Sequence, residues 1–337
     1  MAEIPHLMQA MLAEAPGEPL RLVQVSTPRP AAGEVLVRVL ASGVNPLDAK
    51  ILAGSAAHAR QPLPAILGLD MAGMVVALGE GVTAFQPGDA VFGMAGGAGG
   101  HGGSLAEYMA ADARLLARKP ANLTMREAAA LPLAFITAWE GLVDRAEVRA
   151  EDRVLVRGGA GGVGQMALQI ARARGAVTFA TGSPRARSAI EALGAGYVDP
   201  VEPPADVLAR LTGGRGFDII FDTAGGASLD AAFAMVRRFG HVVSALGWGV
   251  HLLAPLSFRA ASYSGIFTLL PLLTGEGLDH HGAILNEAVR LAEAGGLTPA
   301  LDSRRFTLSQ AQDAYRVIEA GTARGKLVVD LQAEAGS

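Results

Sequence analysis

The chain has 337 residues, enough at roughly 150 per domain for about two domains with substantial cores. Lys and Arg number 28 against 32 Asp and Glu, a formal net charge of −4, which argues against a nucleic-acid partner held by many phosphate contacts. Cys is 0, which excludes disulfides, thiolate nucleophiles, iron–sulfur clusters and cysteine-ligated zinc. Hydrophobic residues make up 50% and glycines number 43, well above ordinary glycine usage of about 7%, as in a glycine-punctuated α/β enzyme.

The opening residues, Met1 to Leu12, carry Glu3 and Pro5 and no basic run ahead of an apolar stretch, so they do not read as a signal peptide and a cytoplasmic location is expected. Glu34 to Leu40, Met74 to Leu78 and Ala90 to Gly93, the last after the turn Gln86-Pro-Gly-Asp, predict a mostly β first part. Within it Gly97, Gly99 and Gly102 have the spacing G-x-G-x-x-G, but no clean strand leads directly into them, and a flexible surface loop is expected. Thr124-Met-Arg-Glu127 has the pattern of a capping box opening a helix ahead of the apolar stretch Ala128 to Val143. Beyond it, Val154 to Val156, Val177 to Ala180, Gly196 to Val198, Phe217 to Phe221 and His241 to Ser244 alternate with helix-length segments, the pattern of a parallel, doubly wound sheet. The uncharged stretch Phe239 to Phe258 is broken by His241, His251, Pro255 and glycines 240, 247 and 249, and reads as a strand plus a loop, not a membrane span. Arg305 to Leu331 reads strand, helix, strand.

A second G-x-G-x-x-G, made by Gly159, Gly161 and Gly164, follows Arg153-Val-Leu-Val-Arg and opens a helix whose apolar Val163, Met166, Ala167, Ile170 and Ala171 recur at helical spacing. With the strand Val177 to Thr181 behind it, this order suits a dinucleotide pyrophosphate, which needs a tight turn, a bare backbone and a helix N-terminus presenting N–H groups. Gly159, Ala160, Gly161, Gly162, Val163 and Gly164 are therefore the expected cradle; the alternative is a turn kept for packing. An NAD-preferring site places Asp or Glu about 20 residues beyond the turn, whereas this chain reads Thr181-Gly-Ser-Pro-Arg-Ala-Arg with no acid before Glu191. The cofactor-binding set is expected to continue through Gly182, Ser183, Arg185 and Arg187, the last three holding the 2′-phosphate of NADP(H), since guanidinium suits phosphate and a carboxylate would repel it. The alternative leaves both arginines solvated.

In order along the chain, Gly43-Val-Asn-Pro-Leu-Asp, Gly68-Leu-Asp-Met-Ala-Gly, Gln86-Pro-Gly-Asp, Leu131-Pro-Leu with Thr137-Ala-Trp, Gly158-Gly-Ala-Gly-Gly-Val-Gly and Gly325-Lys-Leu-Val-Val resemble the medium-chain dehydrogenase/reductase superfamily, most closely its zinc-independent quinone oxidoreductase, zeta-crystallin-like branch. The resemblance spans nearly the whole chain. It implies an α/β protein with a GroES-like, mostly β catalytic domain from residues 1–123 and 299–337, and a Rossmann doubly wound parallel sheet inserted at 124–298. It also implies NADP(H), a cleft between the domains, and a homodimer in which the sixth Rossmann strand, at Ser264 to Leu269, pairs with its copy.

Zinc alcohol dehydrogenases of the same superfamily carry a Cys where this chain has Asn45 and a His-Glu pair where it has Leu69-Asp70. Their four-cysteine lobe cannot be built without Cys. His6, His58, His101, His241 and His251 are scattered, and His280 and His281 are adjacent, so no metal is expected. Without a Lewis acid, hydride can still reach a quinone or the β-carbon of an α,β-unsaturated carbonyl, because the conjugated oxygen takes the developing charge.

The resemblance implies Asn45, Lys50 and Thr137 as catalytic residues. Asn45 would bond a carbonyl oxygen or the nicotinamide ribose, or simply cap a turn. Lys50 stands where several relatives have Tyr, and would donate a hydrogen bond, act as an acid if burial lowered its pKa, or be solvated. Thr137 would face the nicotinamide or bond its own backbone. Asp48 and Asp70 are expected to be structural. Thr223 with Ala224, and Ala245, Leu246 and Gly247, follow the fourth and fifth Rossmann strands, where open sheets bind cofactors. By resemblance Ala224 lines the adenosine half and Leu246 the nicotinamide half; the alternative is plain strand exits. Phe92, Phe135, Phe267 and Leu270 are candidates for the cleft or for core. Neither a G-x-S-x-G elbow nor a P-loop occurs, Gly325-Lys326 being followed by Leu. The expected activity is NADPH-dependent reduction of a small quinone or enone, with no nucleic-acid or membrane partner. A zinc-free alcohol or aldehyde reductase and a non-catalytic NADPH-binding sensor or structural protein are the alternatives.

Overall fold

The computed structural model describes residues 4–331. Strands β1 (Leu7–Ala13) and β2 (Arg21–Ser26) pair antiparallel. β3 (Glu34–Val44) follows and stops where Asn45 caps α1 (Pro46–Leu52), with Pro46 at a helix start that needs no N–H. β4 (Ala65–Ile66), β5 (Asp70–Leu78), β6 (Ala90–Met94), β7 (Tyr108–Asp112) and β8 (Leu116–Arg118) complete the β-rich part. β3 is its centre: Val35, Val37, Val39 and Ala41 are fully buried, and the strand pairs with β5 and β7.

α2 (Met125–Ala129) opens on the expected capping box, Glu127 N donating to Thr124 Oγ1 (3.2 Å) and Thr124 N to the Glu127 carboxylate (2.8 Å). The apolar stretch behind it does not run on as one helix. Pro132 begins α3 (Pro132–Trp139), since its ring cannot continue a preceding helix, and Glu140–Arg145 then widens into a π-helix.

Strand and helix alternate from there: β9 (Arg153–Arg157), α4 (Gly162–Ala173), β10 (Val177–Thr181), α5 (Arg187–Ala192), β11 (Gly196–Val198), α6 (Pro204–Thr212), β12 (Phe217–Asp222), α7 (Ala227–Met235), β13 (Val236–Ser244), α8 (Ala254–Ser257) and β14 (Ser262–Gly265). All are parallel neighbours in the order β11-β10-β9-β12-β13-β14, a doubly wound Rossmann sheet that reverses direction between β9 and β12. Two details differ from expectation. The stretch 239–258 ends in α8, which Pro255 helps to start. The sixth strand is 262–265, displaced from Ser264 to Leu269 because Ser262-Tyr-Ser is polar and carries no apolar run to read.

α9 (Leu270–Thr274) and α10 (Leu278–Glu293) come next, α10 packing on β8. β15 (Phe306–Thr307), α11 (Ala311–Glu319) and β16 (Leu327–Asp330) form the expected strand, helix, strand. β16 pairs with β3, giving a sheet ordered β15-β16-β3-β5-β6-β8. The chain divides into two compact units, one running to Leu133 and resuming at Leu269, the other Ala134–Thr268. Residues 124–133 and 269–298 thus pack with the β-rich unit, because α2 lies against β3 and α10 against β8.

The first glycine cluster is a loop, exposed from Gly100 to Gly102 but buried at its start. Gly96, Gly97 and Ala98 are buried, and Gly103 N and Ser104 N donate to Ile66 O (2.9 Å) and Gly68 O (3.0 Å). Gly97 has φ +70°, and a Cβ there would lie 2.7 Å from Gly68 O, so glycine lets the two backbones touch. Phe92 and Phe135 are core, whereas Phe267 and Leu270 are exposed. No helix among the described residues is long and apolar enough to cross a membrane. At Gly43, a Cβ would sit 2.1 Å from Ala129 O and 3.0 Å from Asp70 Cβ. Gly43→Ala should therefore force β3 and α2 apart and lower the Tm, read by circular dichroism, by roughly 5 °C or more.

Candidate functional site

The carboxyl ends of β10, β9, β12 and β13, neighbours in the sheet, carry every cofactor-binding residue expected from the sequence. After β9 the chain turns at Gly158 (φ +89°) and enters α4 with Gly161 as its N-cap. Gly159 N donates to Thr181 O (2.9 Å) and Gly158 N to Thr181 Oγ1 (3.1 Å), which pins the turn to β10. A Cβ on Gly159 would lie 2.4 Å from Ala180 Cβ, and one on Gly164 would lie 2.1 Å from Gly158 O. α4 makes its first i to i−4 bond from Gln165 N to Gly161 O (3.0 Å). The amides of Gly162, Val163 and Gly164 precede it and are presented, with Ala160 beside them in the turn, at the positive end of the helix dipole. This bare-backbone cradle fits a pyrophosphate.

Asp222, the last residue of β12 and fully buried, organises the neighbouring strand ends. Its carboxylate accepts from Ser228 Oγ (2.7 Å), Gly225 N (2.8 Å) and Ser244 Oγ (2.9 Å), while Arg157 Nε donates to Ser228 Oγ (2.6 Å). Thr223 Oγ1 donates to Arg157 O (2.7 Å), and Ser244 Oγ accepts from Leu246 N (3.1 Å). Thr223, Ala224, Ala245 and Leu246 are therefore set by one carboxylate that ties β9, β12 and β13 together. A Cβ on Gly247 would meet Tyr263 Oη at 1.9 Å, so a side chain there would have to displace that ring. In the sequence the signal for Asp222 is an acid that ends a buried strand, with Gly and Ser just beyond it.

Beyond β10, Gly182 is followed by Ser183, Arg185 and Arg187, all three exposed. Arg187 Nε donates to Glu191 Oε1 (2.8 Å) and its guanidinium lies 5.4 Å over the Tyr197 ring, while Tyr197 Oη donates to Gly182 O (3.0 Å). Tyr197, on β11, thus backs the segment that carries the arginines.

Asn45 is the hub of a buried charged cluster at the junction of β3 and α1, at 2% exposure. Its Nδ2 donates to Asp70 Oδ2 (2.9 Å), and its Oδ1 accepts from Lys326 Nζ (2.5 Å). Lys326 also donates to Val44 O (3.2 Å) and lies 3.7 Å from Asp70 Oδ2; Asp70 Oδ1 accepts from Leu133 N (2.9 Å). Burial pushes the Asp70 carboxyl up and the Lys326 ammonium down, and each one's charge opposes the other's shift. Asp48 accepts from Asn45 N through Oδ2 (2.7 Å), while its Oδ1 and the Tyr315 hydroxyl, both buried, have no hydrogen-bond partner among the described residues. Burial, helped by the Asp70 charge, raises Asp48 to about 7 against the Asn45 amide and Lys326.

Lys50 is exposed on α1, so the burial that would make it an acid is not there; with burial itself, its charge lowers the pKa of nearby His58. Thr137, on α3 and 5% exposed, bonds Thr268 Oγ1 at 3.0 Å, and Thr268 donates to Glu140 Oε2 (2.7 Å). Lys326 stands in the sequence only as part of Gly325-Lys-Leu-Val-Val, and neither its role nor those of Thr268 and Glu140 is legible there, because each joins its partners only through folding.

The positions that hold zinc in the superfamily's alcohol dehydrogenases do not fit that ion here. Leu69 is apolar, Asp70 is held by an amide, a backbone N–H and an ammonium, and the Asn45 oxygen receives a lysine where a cation would need it. Among the described residues no group of three His, Cys, Asp or Glu is placed to hold a metal.

The Alcohol dehydrogenase GroES-like domain family matches residues 31–121, and the Zinc-binding dehydrogenase family matches residues 193–329. A crystal structure of an alcohol dehydrogenase superfamily protein from Novosphingobium aromaticivorans is similar at 53% identity and a TM-score of 0.95, over 96% of this chain and 100% of that one. The NADPH-dependent alkenal/one oxidoreductase, chloroplastic, of Arabidopsis thaliana is 33% identical over 97% of this chain and 81% of its own. The quinone oxidoreductase from Coxiella burnetii has a TM-score of 0.81 and 30% identity, over 97% of this chain and 100% of that one. The chain also matches a larger protein, the spectinabilin polyketide synthase system protein NorB of Streptomyces orinoci, at 34% identity over 89% of this chain, of whose length it spans 13%. The chain belongs to the medium-chain dehydrogenase/reductase superfamily, in its quinone and enone oxidoreductase branch.

A carboxyl whose folded pKa stands above its unfolded value stabilises the fold at low pH and loses that contribution as pH rises through the folded pKa. For Asp48 that window runs from 3.8 to about 7. Asp48→Asn keeps an acceptor for the Asn45 amide but does not ionise. The variant's Tm should therefore gain on wild type as pH is raised across this window, by several degrees in a thermal melt series; parallel curves would show that Asp48 does not titrate there.

Proposed function

We propose that the protein is an NADP(H)-dependent reductase of quinones and α,β-unsaturated carbonyls that works without a metal. The observation that carries the metal-free reading is the Lys326 ammonium seated on Asn45, inside a cluster whose carboxylates are already engaged. The enone and quinone part is supported by the Arabidopsis and Coxiella relatives, whose names specify those reductions.

The dinucleotide, when bound, supplies a hydride that a conjugated acceptor can take up without a Lewis acid. Gly159 to Gly164 hold its pyrophosphate on the backbone. Ser183 and Arg185, with Gly182 beside them, take the 2′-phosphate. Arg187 joins them by exchanging Glu191, its solvent-exposed partner. Thr223 and Ala224 line the adenosine half, and Ala245, Leu246 and Gly247 the nicotinamide half. The Asn45 amide orientation follows from chemistry, because an ammonium only donates and a carboxylate only accepts. One Nδ2–H therefore remains for a carbonyl oxygen or the ribose. Lys50 serves as a hydrogen-bond donor near the substrate, and Thr137 meets the nicotinamide end. A homodimer and a cytoplasmic location belong to the same reading; the dimer is supported by β14 at the sheet edge and the exposed Val250, Leu252 and Leu253 in the loop before α8.

The test is cofactor oxidation followed by absorbance against quinones, enones and isolated ketones, with and without chelator. Conjugated acceptors should turn over with NADPH and be indifferent to chelator, and Arg185→Ala should weaken NADPH binding about tenfold while leaving NADH binding alone. Loss of activity on chelation removes the metal-free reading, and tight binding without turnover across the panel favours a sensor.

A further inference from the structure

We propose that the cavity at the amino ends of β12 and β13 is a binding site for the polyphosphate group of a small molecule, separate from the glycine cradle. It stands independently of the reductase reading. The cavity has a volume of about 660 Å³, within the range of roughly 300–1,000 Å³ usual for small-molecule sites. Four arginines line it, Arg215, Arg237, Arg238 and Arg259, and no acid does among the described residues. In a chain whose net charge is −4, that is a concentrated patch of positive charge. It lies at the opposite end of the strands from Asp222 and Ser244, since Gly216 immediately precedes β12 and Val236 begins β13.

Three segments build the site, and each is pinned to the next. Gly216 (φ +95°) ends the turn after α6, and a Cβ there would lie 2.6 Å from Arg237 N, so glycine lets this turn meet the start of β13. Phe239 N donates to Arg259 O (2.9 Å), which ties β13 to the segment that follows α8. Two of the guanidiniums are held by neutral groups. Arg259 donates to Ala234 O (2.7 Å) and Pro255 O (3.0 Å), and Arg215 Nε donates to Thr212 O (3.4 Å). A carbonyl accepts a hydrogen bond without cancelling a charge, so both keep their full charge and spare N–H groups. Arg238 is exposed, and its guanidinium makes no hydrogen bond or ion pair with the described residues. Of the four, only Arg237 meets a carboxylate, Asp218 at 2.5 Å, whose other oxygen accepts from Arg153 N (2.8 Å).

Three uncompensated guanidiniums around one concavity match a chain of phosphates, whose oxygens only accept and whose spaced charges reach more than one arginine at once. Phe258, 84% exposed, lines the same cavity and offers its ring to an attached base. The shared chemistry is the polyphosphate, free or carried by a nucleotide.

The test is isothermal titration calorimetry of the full chain, with NADPH already present in excess, using inorganic pyrophosphate, sulfate and ADP as probes. Pyrophosphate should bind at one site per chain, about tenfold more tightly than sulfate. The double substitution Arg215→Glu with Arg238→Glu, at two exposed positions, should weaken pyrophosphate about tenfold or more and leave Tm and NADPH affinity near wild type. ADP bound more tightly than pyrophosphate, with the gain lost in Phe258→Ala, identifies a nucleotide as the carrier; equal affinity, indifferent to Phe258→Ala, identifies the free polyphosphate. No heat with pyrophosphate, sulfate bound as tightly, or a double variant as good as wild type overturns the site. Should the chain bind no NADPH, the cofactor reading falls and the double variant still decides this one, because a probe seated in the glycine cradle would ignore it.

Discussion

A buried ammonium holds the β-rich unit together where its chain ends meet. Lys326, just before β16, reaches back 281 residues to Asn45, at the point where β3 becomes α1, and lies beside Asp70 at the start of β5. A charge so placed is costly to desolvate and is tolerated only if every proton has an acceptor. Lys326 donates to the Asn45 amide and the Val44 carbonyl and has the Asp70 carboxylate as its counter-charge 3.7 Å away, which fixes the amide's orientation where β16 pairs with β3. The same contacts make this corner a poor home for a divalent cation.

The parallel sheet solves a related problem with one acid instead of an ion pair. Where strands end, backbone groups lose their ladder partners and must find others. At β12 and β13 the Asp222 carboxylate supplies acceptors to two serines and a backbone amide, so the loops beyond keep fixed paths. At β9 the turn leads into the start of α4, where three amides precede the first bond of the helix and an anion could complete them. Rigid strand ends and unsatisfied helix amides lie side by side, which is the arrangement a dinucleotide site needs.

The legible parts of this protein were those encoded locally. The capping box at Thr124, the alternation of strand and helix, the glycine spacing at 159–164 and the missing acid after β10 all depend on residues within a few positions of one another, and each could be read along the chain. What misled was equally local: nothing along the chain shows that the start of the glycine loop, 96–98, is buried, because its packing partner, 66–68, is remote, and the strand at 262–265 was read late because its residues are polar.

Sequence alone determined the order of elements, the absence of thiol chemistry and the place of the glycine turn between β9 and α4, since backbone sterics and hydrophobic period act over short stretches. Tertiary structure decided which charges meet: that Lys326 sits on Asn45, that Arg187 lies over Tyr197, that Thr137 reaches Glu140 through Thr268. Those pairings depend on distances of a few ångströms between residues that no local pattern connects.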